Sequence, residues 1–341
     1  MLIGGCVFFI SSAFQFGNNL GVDSAVRVYA DTPWVGSLRT SLGFDPLHLT
    51  LIFFNAMTIL FLFAFRNLYR AVERLMMTLV GIMLVSFAIN LAFAHPSPSR
   101  MAAGLIPANP ATLGLPLLGL VGTTFVISAA YFQAYLVRQK GWGRAELDDG
   151  LLDTRVGAVM MAAITLMIMS TAAAVLRGRE LAHVADVARQ LEPLFGQWGR
   201  ALFCLGLFSA AYSSFLVNSM IGGFILSDSL GLGGDPSDRW PKLLTTAVLL
   251  TGMIVALAVI ETGRSPVPAI VAAQAATVVA SPLMAGVVLW LTNRRDVMGG
   301  DRNPWTLNVI AVVGLLMLMA MAFYTATQKV WPAVATWFGG A

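Results

Sequence analysis

Nine apolar runs, each close to the length that crosses a bilayer, constrain this chain more than any other feature. They cover 3–26, 47–65, 75–94, 115–137, 154–176, 199–226, 243–261, 267–291 and 304–327. A hydrocarbon core of about 30 Å takes roughly 20 residues of α-helix. Backbone amides find no water inside lipid, so only helices and closed barrels span it. Runs this long and continuous predict helices rather than strands. The expected class is therefore an all-α polytopic membrane protein. Composition agrees: 57% of the 341 residues are hydrophobic, only 11% are charged, and the mean hydropathy is +0.78. That is too little charge to cover the surface of a soluble domain.

The net charge of +4 and pI near 9.3 call for no nucleic acid. Basic cytoplasmic loops give the same bias, and no dense basic stripe interleaved with aromatics is present. Membrane lipid is the expected partner, and nucleic acid is not. The loops after the second, fourth, sixth and eighth runs hold the larger share of Lys and Arg, including Arg66, Arg70, Arg74, Arg138, Lys140 and Arg144. That places the N-terminus inside and the C-terminus outside. No basic region precedes the first run, so it reads as a span rather than a cleaved signal. Segment 177–198 carries apolar residues at helical spacing between charges, and predicts a separate amphipathic helix on the outer interface.

Polar residues at membrane depth face the interior of a bundle and mark pathways. The fourth run contains "LVGTTFVISAAYFQAYLVRQKGW", with Gly122, Thr123, Thr124, Ser128 and Gln133 inside it. Gly and Thr weaken a helix, and a local unwinding would turn carbonyl oxygens, which are hard cation ligands, towards a cavity. Small-residue helix packing is the competing reading. The first run places Gln15 and Asn18 on one face, near Ser11, Ser12 and Asn19, with Asp23 towards the exit. Those amides bond hydrogen but exchange no proton, and they read as packing contacts. Ser213, Ser214, Asn218, Ser219, Gly222 and Gly223 of the sixth run read the same way. The eighth run adds Gln274, Thr277, Ser281 and Pro282, the pattern of a second irregular helix.

Chemistry of other kinds is absent from the pattern. Cys6 and Cys204 lie in apolar runs and read as small core residues. His48, His95 and His183 sit at or beyond span ends, without metal-ligand spacing to another His, Cys or carboxylate. No nucleophile triad, phosphate loop or dinucleotide motif occurs. An enzyme is not expected, nor a resident cofactor.

At these residues the sequence resembles the Nramp family of divalent metal transporters. "SAFQFGNNLGV" is similar to the family's third transmembrane helix, and "LYRAVERLMMTLVGIMLVSFAINLAFAHP" to its fourth-to-fifth connection and fifth helix. The Gly122–Thr124 stretch is similar to its sixth, "GLFSAAYSSFLVNSMIGGFILSD" to its eighth and "VAAQAATVVASPLMAGVVLWLTNRRDVMG" to its tenth. The resemblance implies a LeuT-type inverted-repeat helix bundle with about nine transmembrane helices present. Its parts would be one transmembrane domain over 1–341: 1–95 as the remainder of the first repeat, 115–291 as the second, and 304–327 as an extra C-terminal helix. It implies transport of a divalent metal ion, as substrate, by alternating access.

Departures from the family pattern shape the expectation. The Asp-Pro-Gly-Asn motif of the family's first helix has no counterpart, so the chain resembles a member beginning at the third helix, either shortened or reduced. Met-Pro-His of the sixth helix is replaced by Val126, Ile127 and Ser128. Thr123 falls where the family offers a backbone carbonyl to the metal, and Val126 where it offers a thioether. A site without soft sulfur favours hard ions, which points from Mn2+ or Fe2+ towards Mg2+. The candidate ion-site positions are Thr123, Val126 and Gln274, and the pathway positions are Gly122, Thr124, Ser128, Gln133 and Ser281. Gln15 and Asn18 stand where the family has acidic residues for proton passage, so strong proton coupling is not expected there. The alternative is a non-transporting membrane module that assembles with another chain.

Overall fold

The computed structural model describes residues 1–29, 33–42, 45–64, 68–104, 126–175, 184–235, 238–262 and 266–327, apart from the side chains of 34, 38, 42, 68–69, 100, 104, 184–197, 266–267 and 276. Among the described residues there are helices and no strands. They are α1 (Leu2–Arg27), α2 (Pro33–Leu42), α3 (Leu47–Ala64), α4 (Leu68–Ala94), α5 (Pro98–Gly104), α6 (Ile127–Lys140), α7 (Leu147–Val175), α8 (Val184–Ser229), α9 (Arg239–Glu261), α10 (Pro266–Asn293), α11 (Arg295–Met298) and α12 (Trp305–Thr325). Seven of them, α3, α4, α7, α8, α9, α10 and α12, are long and apolar enough to cross a membrane.

The two remaining predicted spans differ for separate reasons. The first run does form a helix, α1, of 26 residues. Its Ser, Asn and Gln content keeps it out of the apolar set. In the fourth run, residues 115–125 lie outside the described residues, and α6 begins at Ile127. The amphipathic helix expected at 177–198 is not a separate element where it is described. From Val184 onward it is continuous with the sixth span, giving one helix of 46 residues. At 1.5 Å per residue it is about 69 Å long, so it extends well past a hydrocarbon core of about 30 Å. Pro282 does not interrupt α10, which runs unbroken from Pro266 to Asn293.

α1 is the axis of the bundle. It packs against α3, α8, α9 and α10, while α8 also packs on α4 and α9. Small residues permit these approaches. A Cβ on Gly222 of α8 would lie 2.6 Å from Cβ of Ser11, and one on Gly223 would lie 2.3 Å from the backbone nitrogen of Thr245 in α9. Neither position tolerates a side chain without movement of a neighbouring helix. Around these seams sits an apolar core of Val7, Ile10, Phe215, Phe224 and Leu249, with Phe215, Phe224 and Leu249 at 0% exposure.

Candidate functional site

The polar arc of α1 is buried along its length: Ser11, Gln15, Asn19 and Asp23 are each at 2% exposure or less. Asn19 is fully buried, donates through Nδ2 to the carbonyl of Gln15 at 2.8 Å, and accepts from Asn55 Nδ2 of α3 at 2.7 Å. The sequence reading did not single out Asn55, and a lone amide inside "LIFFNAMTIL" was its only signal. One turn on, Thr58 and the Tyr212 hydroxyl meet at 3.2 Å and continue the seam to α8. Towards the end of α1, Asp23 is 2% exposed and paired with Arg27 at 2.8 Å. Arg27 reaches on to Asp45 at 2.9 Å and so ties α1 to the start of α3.

Gln15 is fully buried, and neither Oε1 nor Nε2 has a hydrogen-bond partner among the described residues. Its side chain lies on Gly252 of α9, where a Cβ would come within 2.6 Å of Gln15 Cγ. Asn18 is half-buried, and its Nδ2 also has no partner among the described residues. Gln274 of α10 approaches the other side of α1: a Cβ on Gly17 would sit 2.7 Å from Gln274 Nε2. Its Oε1 is buried without a partner among the described residues. At 100° per residue Gly17 is about 200° around α1 from Gln15, so the two glutamines stand on opposite sides of the helix, with Asn18 between them in angle.

The remaining predicted positions divide clearly. Val126 is the half-buried N-cap of α6, at φ −79° and ψ 75°, with no side-chain cap bond. Ser128 is buried at 1% exposure, one turn before buried Phe132. Gln133 is exposed with Ala129, Ala130 and Ala134, on the face of α6 turned away from Ser128. Ser281 is buried and donates to the carbonyl of Thr277 at 3.0 Å, while Thr277 donates to the carbonyl of Gln274 at 2.7 Å. Those two hydroxyls are therefore satisfied within α10. Gly122, Thr123 and Thr124 lie outside the described residues.

Chemically this centre is neutral. Its uncommitted groups are amides and the Ser12 hydroxyl, and among the described residues no three His, Cys, Asp or Glu side chains gather as a metal site. Buried amides without partners are costly, and each carbonyl oxygen is a hard donor to a cation or to the water around one.

The chain is also similar to known proteins. Similar proteins bearing the name divalent metal cation transporter MntH include three from different bacteria. The protein from Chromohalobacter salexigens is 28% identical over 76% of this chain and 62% of its own length. That from Verminephrobacter eiseniae is 28% identical over 74% and 58%, and that from Deinococcus radiodurans 24% over 70% and 55%. The chain thus spans between 55% and 62% of the length of these relatives. The profile of natural resistance-associated macrophage protein-like proteins, Nramp, matches residues 3–328. With seven helices fit to cross a bilayer and that match over nearly its whole length, the chain is an integral membrane protein and belongs to the Nramp family.

Proposed function

We propose that the protein moves a divalent metal cation across the bacterial inner membrane by alternating access, and that the cation is a hard one such as Mg2+. The observation that carries this reading is Gln274, whose amide nitrogen lies against Gly17 of α1 and whose amide oxygen is buried with no donor among the described residues, in a chain of a family whose matched relatives are named as metal cation transporters. Val126 supports the choice of ion. It caps α6 beside buried Ser128 and brings no sulfur, and soft thioether ligands are what select transition metals. Mg2+ releases its waters reluctantly, so neutral amides such as Gln274 and Asn18 act by hydrogen-bonding a partly hydrated ion. Thr123, with Gly122 and Thr124 around it, supplies backbone oxygen in this reading. Ser281 keeps α10 in register. Gln15 and Asn18 hold no titratable proton, so ion movement is independent of a proton gradient through them.

The larger frame in this proposal is a pair of inverted repeats, with 1–95 the remainder of the first, 115–291 the second and 304–327 appended. Uptake by the protein reconstituted in liposomes tests it. Mg2+ enters, Mn2+ is not preferred, and Val126→Met shifts the preference towards Mn2+. A clear preference of the unaltered protein for Mn2+ rejects the hard-ion assignment. No uptake of any divalent ion by folded protein favours a non-transporting module instead.

A further inference from the structure

α6 is held in place by two phenol hydroxyls, one turn apart. It has 14 residues, and only Ser128 and Phe132 of it are buried, Phe132 edge-on to Phe224 of α8 at 5.9 Å. Tyr131 Oη donates to the carbonyl oxygen of Met284, two residues beyond Pro282 in α10, at 3.0 Å. Tyr135 Oη donates to Oδ2 of Asp228, at the end of α8, at 2.7 Å. The loop after α8 backs this second bond. A Cβ on Gly234 would stand 2.8 Å from Tyr135 Cε1 and 3.3 Å from Asp228 Cγ, so only glycine leaves room for the ring. Gly231 and Gly233 shape that loop at φ +73° and +95°, and the Asp238 carboxylate accepts from the Asp235 amide at 3.3 Å.

We infer that Tyr135, Asp228 and Gly234 form a positioning latch that sets where the opposite end of α6, Val126 to Ser128, stands. The functional consequence rests on the transport reading above; the latch itself does not. A helix of this length is a stiff rod of about 20 Å. Tyr131 and Tyr135 straddle its middle, four residues apart, so release at Tyr135 lets α6 pivot about the Met284 contact and moves Val126 the other way. A hydroxyl on a carboxylate is a short, charge-assisted bond, yet Asp228 is exposed, which keeps the contact breakable. That combination suits a two-state element rather than a permanent brace.

The test uses the intact chain with Cys6 and Cys204 replaced by Ala and a reporter Ala134→Cys on the exposed face of α6. Its modification rate by a charged thiol reagent is read alongside KM and kcat for Mg2+ uptake. Tyr135→Phe and Asp228→Leu each change the modification rate by about threefold or more, the scale of a shifted two-state equilibrium. Asp228→Asn, which keeps an acceptor oxygen, preserves the original rate. Tyr135→Phe with Asp228→Leu together changes no more than either alone, as expected for two halves of one contact. In uptake, the latch variants change kcat with KM held. An unchanged rate in Tyr135→Phe, or Asp228→Asn as disruptive as Asp228→Leu, overturns the latch. A rate shift without uptake by the unaltered protein keeps the latch and overturns the transport reading.

Discussion

A long helix with a polar arc and the most exposed helices exchange the places that a soluble protein would give them. α1 carries Ser11, Gln15, Asn19 and Asp23 at 2% exposure or less and is wrapped by four helices. α7 and α12 are among the apolar spans, yet only 11% of each spanning window is buried within the protein. Apolar side chains gain nothing by leaving lipid for a protein interior of similar polarity, whereas amides and hydroxyls lose heavily if left in hydrocarbon. Polarity, not hydrophobicity, therefore decides which helix becomes the axis. The buried residues of α7 make the point in miniature: they are Ser170 and Thr171.

Substitutions matched between axis and periphery sharpen this contrast. The largest difference is expected for glycines. Gly223→Ala drives a methyl into the Thr245 backbone and lowers stability by about 1–3 kcal/mol or more. Gly157→Ala on α7 meets nothing within 4 Å and raises it by roughly 0.5–1 kcal/mol through helix propensity. Thermal unfolding in detergent reads both, and equal effects would dissolve the distinction. Next come polar deletions. Asn55→Ala removes the donor to Asn19 and costs about 0.6–2 kcal/mol, the range for hydrogen bonds between membrane helices. Thr165→Ala on α7 removes only a bond to its own helix at Met161 and stays within about 0.5 kcal/mol.

How much of this the sequence disclosed follows the same physics. Span positions were legible because membrane thickness fixes run length: α3 at Leu47–Ala64 and α10 at Pro266–Asn293 fall within a few residues of the expected 47–65 and 267–291. The union of the expected outer helix with the sixth span was not legible. Pro and Gly disfavour helix, yet the helix passes through Pro193, Gly196 and Gly199. The partners of the polar residues were hidden as well. Spacing along α1 assigns Gln15 and Asn18 to one face, but says nothing of Gly252 beneath the first, or of Gln274 reaching Gly17 from the far side. Tyr131 and Tyr135 gave no signal either, since a phenol at a span end reads as an interfacial aromatic until its acceptor is known.

The smallest expected effect lies at the rim, where α1 meets α3. Burial alone would raise the Asp45 carboxyl, but the Leu47 amide and the Arg27 and Arg39 guanidiniums outweigh it and hold it below its ordinary range. A carboxyl lowered in the folded state adds stability above its unfolded pKa of about 3.9, and loses that contribution as pH falls through the lower folded value. Melting temperature should therefore be insensitive to this group from neutral pH to about 4 and fall more steeply below. Asp45→Asn should flatten that acid limb, and an unchanged limb would remove Asp45 from the account.

Calorimetric titration of the purified protein with Mg2+ tests most directly whether the polar axis is where the ion is held. The account predicts binding by the unaltered protein, loss of it in Gln274→Leu, and retention in Thr165→Leu on exposed α7. Equal binding by both variants, or none by the unaltered folded protein, would contradict it.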